Sequence, residues 1–431
     1  MKKKFAENFI EFVNNSPSSY HVTKNCSDIL DEKGFERLDP NGEWKLKPEG
    51  KYYIKRTNST IMAFTVGEKV SEDSGFKIAG SHTDSPCFRI KPNPEIITGN
   101  TIRLNTEVYG GPILSTWFDR PLSVAGRVTV KSENPFRPGT ITVNIDRPLL
   151  TIPNLAIHQN RNVNQGVEID RQNDVLPIIG LVNDGFEKEN FLINLLAKEC
   201  NIETSEILDF DLFLYNYEMG SLLGVNNEMI SLPKIDNLAS VYSSLMALTE
   251  TKRNRNKINV FIGFDNEEVG SSTKQGADSN YLSNFLERIY LSFGIEREGF
   301  LRGLSNSFIV SADGAHAGHP AFLGKMDVTN KPEINKGVVM KISANQRYTS
   351  DGYSISVIKQ ILKDEDVKIQ YFVNNSRETG GSTIGPLSST HLDIDSVDLG
   401  IPTLAMHSAR ELCGVDDLYD LKELIRLFFE A

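Results

Sequence analysis

Four short runs of β-forming residues each end abruptly in polar, ionisable side chains, and this pattern constrains the fold more than any other feature. Residues 76–80 (FKIAG) lead into Ser81-His82-Thr83-Asp84, and 258–264 (INVFIGF) into Asp265-Asn266-Glu267-Glu268. Phe308-Ile309-Val310 lead into Ser311-Ala312-Asp313, and Pro402-Thr403-Leu404-Ala405 into Met406-His407. Runs of this length and type read as buried strands. Helical stretches lie between them, such as 238–250, where Leu238, Val241, Leu245 and Leu248 mark one apolar face. An open α/β sheet gathers its active site at the carboxyl ends of its strands, so four such endings predict one shared site.

Residues 91–224 follow another pattern. Segments such as Gly126-Arg127-Val128-Thr129-Val130 alternate, prolines are frequent, and helical patterning is scarce before 187–199. This predicts a β-rich domain at 91–224, inserted into a discontinuous catalytic domain formed by 1–90 and 225–431. The chain of 431 residues is long enough for both. Its formal net charge of −11 leaves no basic surplus for phosphates, which argues against nucleic acid or an anionic membrane as partner. Glu7, Asn8 and Glu11 interrupt the N-terminus, while Phe5, Phe9, Phe12 and Val13 fall at helical spacing, so an amphipathic helix is expected there rather than a signal peptide. Four scattered cysteines (Cys26, Cys87, Cys200, Cys413) form no CxxC pair and read as reduced thiols of a cytoplasmic protein.

Zinc accepts imidazole nitrogen and carboxylate oxygen, and strand ends hold such donors rigidly. His82 and Asp84 share a face at positions i and i+2, so Asp84 can orient the His82 ring; taken alone, the segment reads better as a turn. Adjacent acids after a strand point in different directions, so one of Glu267 and Glu268 can bind metal while the other faces water; an isolated pair is more often a solvated loop. Asp236 precedes a helix, where it is either an N-cap or a carboxylate bridging two ions. Asp313 is a ligand candidate beside His316 and His319, which rival it, and His407 is a ligand or a buried structural histidine. Together they make a His/Asp/Glu/Asp/His set with a spare glutamate. Gly380-Gly381-Ser382-Thr383-Ile384-Gly385 lacks the spacing of a phosphate loop and reads as cleft-lining backbone.

With these residues assembled, the chain resembles the aspartyl aminopeptidase family, which includes yeast vacuolar aminopeptidase I. The likeness runs through Gly80-Ser81-His82-Thr83-Asp84-Ser85-Pro86, Asn154-Leu155-Ala156-Ile157-His158, Asp236-Asn237-Leu238 and Glu267-Glu268-Val269-Gly270-Ser271. It continues through Ala315-His316-Ala317-Gly318-His319-Pro320, Asn345-Gln346-Arg347-Tyr348, Gly381–Pro386 and Met406-His407-Ser408-Ala409-Arg410-Glu411. The resemblance implies a three-layer αβα zinc-peptidase domain with an inserted dimerisation domain, assembled from dimers into a dodecamer that admits short peptides. It implies two divalent ions, zinc first and manganese or cobalt also suited. One would be held by His82, Asp236 and Asp313, the other by Asp236, Glu268 and His407, with Glu267 as general base. It assigns His158 to substrate, to the tetrahedral intermediate or to metal, from a neighbouring subunit, and Lys341 to an acidic substrate side chain; Gly381 and Ser382 would border the substrate. Asn374-Asn375-Ser376-Arg377 departs from the Asn-Arg-Ser-Asp of many members, which puts acidic specificity in question. Two rivals are a carboxypeptidase or deacylase on the same scaffold, and a non-catalytic assembly protein that kept the fold.

Overall fold

The computed structural model describes residues 1–182, 190–252 and 256–431. A nine-stranded sheet forms its centre, in the order Glu36–Arg37, Lys51–Arg56, Thr60–Val66, Ile258–Phe264, Phe76–His82, Phe308–Ala312, Asp395–Gly400, Val338–Ile342 and Ile369–Val373. The four strands from Ile258–Phe264 to Asp395–Gly400 are parallel, in a register that sets Phe264 opposite His82 and Ser311 opposite Gly80. The residues that follow three of these strands therefore emerge along one edge.

Such strands are apolar in both directions because both faces are covered. Along Ile258–Phe264, Val260 and Ile262 meet Leu286, Ile289 and Phe300 of helices Tyr281–Ser292 and Arg297–Ser305. Phe261 faces the other way, towards Phe9, Leu245 and Ile425 of helices Lys2–Asn14, Ile235–Glu250 and Val415–Glu430. The result is a three-layer αβα arrangement. Among the described residues no helix is long and apolar enough to cross a membrane.

One strand ending lies elsewhere than expected. Pro402–Leu404 is not in the central sheet; it belongs to a five-stranded sheet with Ala315–His316, Glu411–Gly414, Met229–Leu232 and Ser221–Leu223. Its expected place is held by Asp395–Gly400, whose Asp395, Ser396 and Asp398 hide it from a search for apolar runs. Pro402–Leu404 runs on in the direction of Asp395–Gly400, with the N–H groups of Asp313, Ala315 and Ala317 bonded to Leu399, Ile401 and Thr403 O, and His407 lies in the turn from Pro402–Leu404 into Glu411–Gly414.

The remaining sheet has six antiparallel strands, ordered Gly139–Asn144, Leu122–Val130, Ile207–Asn216, Cys87–Thr98, Thr101–Tyr109 and Ile178–Leu181. Leu192 and Leu196 of helix Phe191–Cys200 pack on it, with Phe88, Val124 and Leu212 in the core between them. Its strands lie between Cys87 and Asn216. Pro92 and Pro94 lie in a register break between Ile90 and Glu95, where the ladder does not need their missing N–H groups.

Candidate metal centre

His82 ends its strand with a nearly buried ring, 1 % exposed. Its Nδ1–H donates to the Asp84 carbonyl oxygen at 3.1 Å, which turns Nε2 towards three carboxylates. Nε2 lies 3.3 Å from Asp236 Oδ1, 3.4 Å from Asp313 Oδ1 and 3.9 Å from Glu267 Oε2. The Asp84 carboxylate stands farther from Nδ1, at 3.4 Å, and serves mainly the neighbouring loop. It accepts the backbone N–H groups of Glu267 (3.2 Å) and Glu268 (3.1 Å), fixing both acids as they leave Ile258–Phe264.

Asp236 sits at the start of helix Ile235–Glu250 but in non-helical conformation, with a cis peptide to Asn237, and makes no side-chain cap. Its Oδ2 lies 3.4 Å from His407 Nε2, and Glu268 Oε2 lies 3.4 Å from the same nitrogen. His407 adopts a left-handed φ of 67° and donates Nδ1–H to Gly111 O at 3.1 Å. Buried Glu411 accepts the backbone N–H of Asp236 (2.9 Å) on one oxygen and of His407 (2.7 Å) on the other. Its position four residues after His407 was the only trace of this role in the sequence. Gly400 has a similar supporting part: a Cβ there would fall 1.8 Å from the Asp313 carbonyl oxygen, so only glycine allows that approach.

Three sets of donor atoms lie within 4.8 Å of one another: His82–Asp236–Asp313, His82–Glu267–Glu268 and Asp236–Glu268–His407. Without a cation this crowding is electrostatically costly. Burial, aided by Asp313, Asp84 and Asp236 against the pull of His82, pushes Glu267 up to about 8. Burial and the charge of Asp236 raise Glu268 well above its ordinary value. Burial opposes protonation of His82, but Asp236, Asp313 and Asp84 outweigh it and raise the ring well above the usual histidine range. Buried Asp236 Oδ1 and Glu268 Oε1 lack any hydrogen-bond donor. Clustered acids, oriented imidazoles and unsatisfied oxygens fit divalent cations.

The other expected residues contribute no atom to these donor sets. His316 packs edge-on against Phe372, and His319 Nδ1 accepts the Ala321 N–H; neither joins the donor sets. The side chain of Lys341 is buried, and its Nζ donates to Asp313 Oδ2 (3.3 Å) and Gly314 O (3.1 Å). His158 is exposed in the turn-rich stretch between Ile152 and Ile178. Gly381 and Ser382 are exposed, with Ser382 Oγ donating to Arg347 O. Arg377 is exposed on the same rim, its backbone N–H bonded to Asn375 Oδ1.

The pattern of the aminopeptidase I zinc metalloprotease (M18) family matches residues 12–429. The chain is 54% identical over 429 residues to the probable M18 family aminopeptidase 2 of Clostridium novyi (strain NT), covering 99% of each. It is similar in structure to a chain in the cryo-EM structure of the Ape4 and Nbr1 complex (TM-score 0.95, 38% identity, 99% of this chain and 86% of that one). It also superposes on the S. cerevisiae mApe1 dodecamer structure (TM-score 0.85, 25% identity, 98% and 96% coverage). On the full-length sequence match and the shared fold, the chain belongs to the M18 family of aminopeptidase I zinc metalloproteases.

Proposed function

We propose that this protein is a metallo-aminopeptidase that removes N-terminal residues from short peptides, with two divalent ions per subunit. Zinc is the first candidate, and manganese or cobalt suit the same donors. One observation carries the reading: the two oxygens of Asp236 face two different imidazoles, at 3.3 and 3.4 Å, so one carboxylate serves two donor trios. His82, Asp236 and Asp313 would hold one ion, and Asp236, Glu268 and His407 the other. When bound, the ions would supply Lewis acidity for the scissile carbonyl and lower the pKa of water to about 7. The Glu267 carboxylate takes a proton from the attacking water and returns it to the leaving amine as the C–N bond breaks.

The inserted sheet, with the chain at 91–224, is proposed as the dimerisation domain of a homo-oligomer, a dodecamer built from dimers. Leu155 (55% exposed), Ile157 and Val167 are exposed apolar side chains of this region that a second copy would cover. The dodecameric S. cerevisiae relative supports that assembly. His158 lies between two of these residues and is proposed to reach the substrate of a neighbouring subunit. Gly381 and Ser382 are proposed to border the cleft. Lys341 is the cation proposed for an acidic N-terminal side chain, although Asp313 already engages it. Free thiols at Cys26, Cys87, Cys200 and Cys413 favour the cytoplasm.

A panel of chromogenic Asp, Glu, Leu and Lys substrates, with and without chelator, tests the reading. Hydrolysis should be chelator-sensitive, and N-acetylated peptides should be refused. Equal cleavage of blocked peptides would favour a deacylase or carboxypeptidase. No hydrolysis and no bound metal would favour an assembly protein.

A further inference from the structure

The metal centre is not built by the central sheet alone. Strand Thr101–Tyr109 of the six-stranded sheet ends beside it, and the next residues run under both the Glu267–Glu268 loop and His407. We propose that Tyr109–Thr116 is a positioning element of the metal centre, and that the Tyr109 hydroxyl aims Glu267 and Glu268. The inference rests on the two-ion reading above.

Tyr109 Oη donates to Asp84 Oδ2 at 2.7 Å and accepts from Asn266 Nδ2 at 2.8 Å. Asp84 is the carboxylate that holds the backbone N–H groups of both glutamates. Asn266 precedes Glu267 with a left-handed φ of 63°, so the bend that presents the two acids is pinned through its side chain. Burial and the charges of Asp84 and Asp265 drive the Tyr109 hydroxyl far above the usual phenol range, so it remains a donor. Beyond it, Gly110 has φ of 72°, and a Cβ there would come within 3.1 Å of the Glu268 Cβ. Gly111 O accepts the His407 Nδ1–H, and Ile113 N–H donates to His407 O at 2.9 Å. Thr116 Oγ1 accepts the Ala409 N–H at 2.9 Å, so the His407 loop is clamped on both sides of its ligand. Partners of this kind fix ligand orientation, and losing one costs about 10–100-fold in metal affinity or activity.

The test uses the full-length chain. Tyr109→Phe keeps the ring against Phe213 (centroids 5.6 Å apart) and removes only the hydroxyl. Zinc affinity of stripped protein is read by competition with a chromogenic chelator, and kcat and KM are measured in excess zinc. We expect weaker zinc binding at one site and a kcat lower by about 10–100-fold, with KM within about twofold. Thr116→Val should weaken zinc binding in the same direction, and carries the test if Tyr109→Phe does not fold. Tyr290→Phe, which deletes a core hydroxyl bonded to Ser74 O, controls for general destabilisation and should leave zinc affinity unchanged. Wild-type affinity and kcat in both Tyr109→Phe and Thr116→Val would overturn the proposal, as would an equal loss of affinity in Tyr290→Phe. If the wild-type chain binds zinc but hydrolyses nothing, the aminopeptidase reading fails while the affinity comparison still decides this one.

Discussion

Each oxygen of Asp236 faces its own imidazole, so removing this side chain would strip both halves of the cluster at once. Glu267 differs from it in function: the proposed trios do not need it as a donor, and its carboxylate stands at the edge, 3.9 Å from His82 Nε2. Glu267→Gln should therefore retain both ions, checked by elemental analysis, while kcat falls by about 10²–10⁴-fold. The metal-free cluster holds protons near neutrality, because burial pushes Glu267 and Glu268 upward and the neighbouring carboxylates, against burial, push His82 and His407 upward. Zinc must expel those protons, so uptake near pH 7 should release them and apparent affinity should rise with pH; calorimetry in buffers of different ionisation enthalpy measures both. His82, Glu267 and Asp313 were legible because each ends an apolar run. Asp236 was ambiguous, since an N-cap and a bridging carboxylate share one local pattern. Tyr109 and Glu411 carried no readable role, because their partners are far away in sequence or are backbone groups.

Among the elements, helix Ile235–Glu250 carries Asp236 in its first turn and packs its apolar face on the sheet and on Val415–Glu430. Leu245 is fully buried in that face. Leu245→Ala should lower stability by about 2–5 kcal/mol in denaturant titration, with a secondary loss of zinc affinity because the helix anchors the bridging carboxylate. Strands with uniform apolar runs were readable from composition because they are covered on both faces. Asp395–Gly400 was not, because its polar side chains have buried partners: Asp398 accepts Thr349 N–H at 2.7 Å and Thr383 Oγ1–H at 2.7 Å. Only the tertiary fold supplies those donors, so a search by hydrophobicity passes over such a strand.

For the whole molecule, mutually repelling buried acids hold back the metal-free fold, and zinc should stabilise it strongly. At a thousandfold excess over Kd, one bound ion contributes about 4 kcal/mol, so the thermal midpoint should rise with zinc and fall with chelator in scanning calorimetry. Two large sheets of different character contribute to the site, one with donors and the other with Tyr109 and the segment that clamps His407. The donors enter the growing polypeptide in the order His82, Asp236, Glu268, Asp313 and His407. Gly111 and Ile113 are synthesised long before the histidine loop that they grip in the finished fold. A chain still on the ribosome would thus lack the proposed second trio until His407 has emerged and folded back. On the proposed two-ion mechanism, hydrolysis would therefore wait for the last part of the chain to be made.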